Sequence, residues 1–169
     1  MIEKPSEGSK NLIENNLRKT LLVGVGNEYR SDDGVGLVVA REIHEKLIPS
    51  VTVKEESGEG AALMDAWQGF QNVIIVDAVS SGAMPGTIFR IDANKEIVPI
   101  KFFHYSTHAF SVSEAIELAR AMNVLPAKFV VYGIEGNNFT AGVDISPPVK
   151  EAANQVIEQI VGEFEVVGR

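Results

Sequence analysis

Residues 20–26, TLLVGVG, form a near-continuous apolar run that ends in Gly-x-Gly. Such a strand must be covered on both faces, which is the situation of a central strand in a parallel sheet. Beyond a polar loop, GVGLVVAREIHEKL (34–47) carries apolar residues at helical spacing, with Pro49 as its stop. The alternation then continues. VTVKE (51–55) reads as a second strand, and GAALMDAWQGF (60–70) as a helix with Leu63, Met64 and Trp67 on its inner face. NVIIVDAVSSG (72–82) is a buried strand that closes on Asp77. Pro85-Gly86 signals a turn into TIFRID (87–92), which follows too soon for a crossover helix and is therefore expected to run antiparallel to its neighbour. A long irregular connection covers 93–107, FSVSEAIELARAM (110–122) is helical, and AKFVVYGIEG (127–136) is the last strand. Ser146-Pro147-Pro148 opens a final helix that turns Val149, Ala152, Ala153, Val156, Ile157 and Ile160, and then Val161 and Phe164, inward.

These elements predict an α/β fold: a mostly parallel sheet of about five strands, one of them antiparallel, with helices on both faces. Residues 20–169 form a single domain, and the polar, charge-mixed residues 1–19 read as a flexible leader. In such sheets ligands gather at the carboxyl ends of the strands.

Composition removes whole classes of function. The chain of 169 residues has no cysteine, which excludes disulfides, thiolate metal sites and cysteine nucleophiles. Its 15 basic against 23 acidic residues leave a net charge of −8, with no basic cluster. Nucleic acid and anionic membranes are therefore not expected as partners. No apolar run is long enough to span a bilayer, and the N-terminus lacks the apolar core of a secretory signal, so a cytoplasmic location is expected.

Three constellations fall at the expected sheet edge. In GVGNEYRSDDGVG (24–36) the start of a dinucleotide fingerprint is present, but Tyr29 stands where the third glycine belongs. Asp32 and Asp33 at the helix start would repel a pyrophosphate, which needs bare N–H groups. One acid of the pair suffices as a cap; the other can point into a cleft to hold a cation or a proton. KEESGEG (54–60) places Glu55, Glu56 and Glu59 before a helix, and FFHYSTHAF (102–110) places His108 at a helix entrance with Thr107 as an available cap. One histidine and two carboxylates on separate loops make an open site for a divalent ion, with Asp77 orienting a neighbour from behind. His44, amid charged neighbours, is read as solvated. No serine elbow or His-Glu-x-x-His helix is present.

Taken in order, LLVGVGNEYRSDDGVG (21–36), ESGEG (56–60), NVIIVDAVSSGAMPGT (72–87), STHAFSVSEAIELA (106–119) and YGIEG (132–136) resemble the nickel–iron hydrogenase maturation endopeptidases. The resemblance implies a three-layer α/β/α sandwich. It also implies an enzyme that removes a C-terminal extension from a hydrogenase large-subunit precursor after nickel insertion. The implied metal site takes Asp33 and His108, with Glu59 or Glu55 as third ligand, Glu59 being favoured by its flanking glycines. The cation is nickel supplied by the substrate, with no permanently bound cofactor. Asp32 or the unused glutamate is a candidate base, and Asn27 a candidate donor to the scissile carbonyl. Phe102, Phe103 and Tyr105 either hold the substrate tail or pack in the core. Two alternatives stand beside this reading: a non-catalytic nucleotide-binding module, and a chaperone that inspects nickel loading without cutting.

Overall fold

The structure is a computed structural model that describes residues 20–49, 51–103 and 108–167. The leader at 1–19 and the segment from His104 to Thr107, with Tyr105, lie outside the described residues. Among the described residues five strands, β1 (Thr20–Val25), β2 (Val51–Glu56), β3 (Asn72–Val79), β4 (Ile88–Asp92) and β5 (Lys128–Glu135), form one sheet in the order β2-β1-β3-β5-β4. Its neighbours are parallel except for the β4–β5 pair, in which Ile88 faces Ile134 and Asp92 faces Val130. The short β3–β4 connection leaves no room for a crossover, so β4 returns antiparallel on the far side of β5.

Among the described residues four helices cover the sheet: α1 (Val35–Glu45), α2 (Gly60–Trp67), α3 (Val112–Ala121) and α4 (Pro147–Val167). The alternation of side chains along each strand sorts the apolar residues into two cores. Leu21, Val23 and Ile75 point to one face, where Leu63 and Trp67 of α2 and Ile116 of α3 meet them. Leu22, Ile74 and Tyr132 point to the other, against Val39 and Ile43 of α1 and Val156 and Ile160 of α4. This two-sided burial is why β1 and β3 read as unbroken apolar runs.

Helix ends differ from the sequence expectation for local reasons. Leu47 adopts a left-handed turn (φ 51°), so α1 ends at Glu45, ahead of Pro49. Gly69 (φ 81°) ends α2 at Trp67 rather than residue 70. Ser111 and Glu114 close a capping box, which fixes the start of α3 at Val112. Val161 and Phe164 of α4 are only partly buried, at the margin of the second core. Within the irregular connection, Ile100–Phe103 forms a 3-10 turn, and Phe102 and Phe103 are buried. Among the described residues no helix is long and apolar enough to cross a membrane.

Candidate active site

A cleft of about 70 Å3 opens at the carboxyl edge of the sheet, where β1, β3 and the loop after β2 end. Asp33, Asp77 and His108 line it together. They arrive from three places: the turn between β1 and α1, the end of β3, and the entrance to α3. Asn27, Arg30, Phe102 and Phe103 line the same space.

Glycines set this geometry. A Cβ on Gly36 would lie 2.2 Å from the Val76 carbonyl oxygen and 2.3 Å from that of Val25, so only glycine lets α1 sit so close to the sheet. Gly26 has φ +150°, and a Cβ there would lie 1.9 Å from the Asp33 carbonyl oxygen. The Gly-rich stretch thus brings a helix and a carboxylate-bearing turn against the strand ends, which accounts for it without a phosphate.

The two adjacent aspartates part company. Asp33 is half-buried, and its Oδ2 accepts the Asn27 N–H at 3.1 Å. Burial pushes its carboxyl up from the ordinary carboxylate range, against the opposing pull of the Arg30 charge and the Asn27 N–H. Asp32 is completely buried and faces away from the cleft. Its Oδ2 accepts the N–H of Asn137 and of Asn138 and the hydroxyl of Ser146, each at 2.8 Å, while Oδ1 accepts the Ser146 N–H at 2.6 Å. The candidate base is therefore occupied: Asp32 is a staple between the turn before α1 and the loop that leads into α4. It does not cap the turn of residues 31–34, which has no side-chain cap.

Glu55 and Glu59 are not drawn into the cleft either. Glu55 pairs through both oxygens with Arg41, at 2.9 Å each, on an exposed surface where Glu28 also binds Arg41. Glu59 is the N-cap of α2, its oxygens accepting the N–H groups of Ala61 (3.0 Å) and Ala62 (2.8 Å). Those bonds hold its carboxyl below the ordinary range, and the charge of nearby His108 adds to the effect. Flanking glycines give Glu59 freedom to turn, but the helix N-terminus claims its oxygens first. His44 is exposed on α1, as expected for a solvated residue.

Asp77, expected to act from behind a ligand, stands in the cleft itself. It is 7% exposed, and burial, followed by the charge of Asp33, pushes its carboxyl well above the ordinary range. The sequence signal was the lone charge in the apolar run NVIIVDAV. Asn27 sits at the rim, its side-chain oxygen accepting the Tyr29 N–H at 2.9 Å. The arrangement sets two carboxyls that burial raises above the ordinary range, Asp77 the more strongly, beside the His108 imidazole, which is the equipment of acid–base chemistry. Among the described residues no three histidine, aspartate or glutamate side chains stand close enough together to hold a metal ion by themselves.

A family model for the hydrogenase maturation protease HycI matches residues 37–163, three-quarters of the chain. The chain belongs to the hydrogenase maturation protease family. A Methanocaldococcus jannaschii protein provisionally named as a hydrogenase maturation protease is 30% identical over 154 residues, covering 86% of this chain and 96% of the other. The hydrogenase 2 maturation protease of Escherichia coli is 23% identical over 154 residues, covering 89% of this chain and 93% of its own. In fold, the structure is similar to the hydrogenase maturating endopeptidase HybD of Escherichia coli, with a TM-score of 0.70 at 18% identity, over 89% of this chain and 94% of that one. The three-layer sandwich expected from the motifs is thus the family fold, and a member of this protease family is a hydrolase.

Proposed function

We propose that this hydrogenase maturation protease cleaves a C-terminal extension from a nickel-loaded hydrogenase large-subunit precursor, and that Asp33, Asp77 and His108 are the side chains that meet the nickel. The observation that carries the reading is their convergence, from three separate elements, on one cleft. Two carboxyls and an imidazole suit a borderline divalent cation. Because no three such groups are close enough to chelate alone, the reading has the ion arrive with ligands of its own on the precursor. Nickel is then part of the substrate, and its presence reports that loading is complete.

The chain's own groups suit the remaining work. Asp33 meets the positive charge, held in place by the Asn27 N–H. Burial and the Asp33 charge raise the Asp77 carboxyl, and a cation beside it would oppose both by favouring the ionised form. Arg30 and the Asn27 amide lie on the same wall, where donors stabilise developing charge on a carbonyl oxygen. A cation seated here would also act as a Lewis acid toward that carbonyl. A neighbouring apolar wall, with Phe102 and Phe103, holds the extension.

The test is incubation with nickel-loaded and nickel-free precursor, read by mass spectrometry. The expected result is loss of a short C-terminal fragment from the loaded form alone. Asp33→Asn and His108→Ala should slow it by about 100-fold or more, while Glu55→Gln and Glu59→Gln process normally. Equal cleavage of nickel-free precursor, or full activity of Asp33→Asn, would overturn the reading.

A further inference from the structure

Glu135 lies at the end of β5, only 2% exposed, and among the described residues it forms no ion pair. Burying a carboxylate is costly unless hydrogen bonds replace its water. Here they do, and among the described residues every one comes from the start of the β3–β4 loop. The Ser81 N–H lies 3.0 Å from both oxygens, the Gly82 N–H donates to Oε1 at 3.0 Å, and the Ser81 hydroxyl donates to Oε2 at 2.8 Å. The backbone of Glu135 grips the far end of the same loop, accepting from Gly86 N–H at 2.8 Å and donating to the Thr87 carbonyl at 2.9 Å.

What this loop carries joins it to the cleft. Ser80, directly before the clamped residues, lines the cleft, and its N–H donates to the Phe102 carbonyl at 2.9 Å. The Val79 carbonyl accepts the Gly136 N–H at 2.9 Å. The peptide between Val79 and Ser80 is thereby clasped from both sides. Release of residues 81–82 would leave Ser80 held only through that peptide, so that Ser80 and the Phe102 carbonyl bonded to it could shift together. An apolar side chain at 135 would fill the space but anchor nothing.

We infer that Glu135 is a positioning residue for the substrate-binding wall of the cleft: its buried carboxylate fixes the first turn of the β3–β4 loop and, through Ser80, the place of Phe102. The inference rests on the cleft being the proteolytic site, and it adds the prediction that Glu135 acts on substrate binding rather than on the chemical step. It touches neither the metal-facing side chains nor the substrate.

The experiment compares the wild type with Glu135→Gln and Ser81→Ala on full-length protein. Gln keeps the shape but presents an NH2 group where an N–H must be accepted, whereas Ser81→Ala removes the hydroxyl alone. Glu135→Gln should raise KM for the nickel-loaded precursor about tenfold while kcat stays within about twofold. The Ser81 and Gly82 amides should exchange with solvent at least about tenfold faster, and the NMR signals of Ser80 and the Phe102 ring should move. Ser81→Ala should change all of these less. Unchanged KM with faster exchange would make Glu135 a structural clamp only, and unchanged exchange would remove the clamp itself; either overturns the inference. Failure of the protease reading shows separately, as wild type that leaves the precursor intact. In that event the Ser80 and Phe102 signals decide: no movement in Glu135→Gln overturns the inference.

Discussion

Asp32 and Asp33 are chemically identical neighbours with opposite employment. One peptide bond separates a carboxylate that takes four hydrogen bonds in the interior from one that borders the cleft. Asp77 is the third case, a carboxyl buried at a strand end, where burial and the charge of Asp33 favour its neutral form. Its consequence for stability follows from proton linkage. The folded chain keeps the proton that the unfolded chain releases above its ordinary value of 3.8, so stability falls as pH rises from there toward the raised value. The slope can reach about 1.4 kcal/mol per pH unit for one proton. Asp77→Asn removes this penalty. Urea unfolding of the metal-free protein across pH 4–8 should show the variant gaining on the wild type as pH increases. A constant gap would show that Asp77 ionises equally in both states.

At the scale of elements, the strand–turn–helix unit of β1 and α1 depends on contact distance more than on helix propensity. Ala is the better helix former, yet Gly36→Ala would drive a methyl group to 2.2 Å from the Val76 carbonyl and force α1 off the sheet. That shift should destabilise the protein by about 3 kcal/mol, at the upper end for overpacking. It should also weaken precursor processing, because Asp33 rides on the turn that leads into α1. Thermal unfolding by circular dichroism and the cleavage assay check the two halves of this prediction; a variant as stable as wild type would mean the helix has room to give. The boundaries of α2 and α3 make the complementary point. Gly69 and the Ser111–Glu114 box set them through local turn and cap chemistry.

For the whole molecule, the sheet is a partition. Leu63 lies in the core under α2 and α3, and Ile160 in the core under α4 and α1, so the two share no cluster. Leu63→Ala and Ile160→Ala should each cost about 2–5 kcal/mol. The double variant should cost their sum to within about 0.5 kcal/mol. Denaturant titration of the three variants tests this, and marked non-additivity would show that strain crosses the sheet. The same partition leaves the carboxyl edge free of core duties, and chemistry-bearing side chains from distant segments assemble there.

The sequence by itself determined the alternation of strands and helices, the antiparallel return of β4, and the edge of the sheet on which polar residues collect. It did so because burial on both faces, helical periodicity and turn residues are local patterns, written in consecutive positions. It also singled out Asp33 and His108, which the cleft brings together. The rest was decided in three dimensions. Glu59 was claimed by a helix N-terminus and Glu55 by Arg41, while Asp32 was taken up by a loop more than a hundred residues away in the chain. Asp77 entered the cleft because β3 ends there, and Glu135 anchors a loop across the β3–β5 pair. A carboxylate carries no mark of which donor will reach it first. That competition is settled by distances between segments remote in sequence, and only the packed sheet fixes those distances.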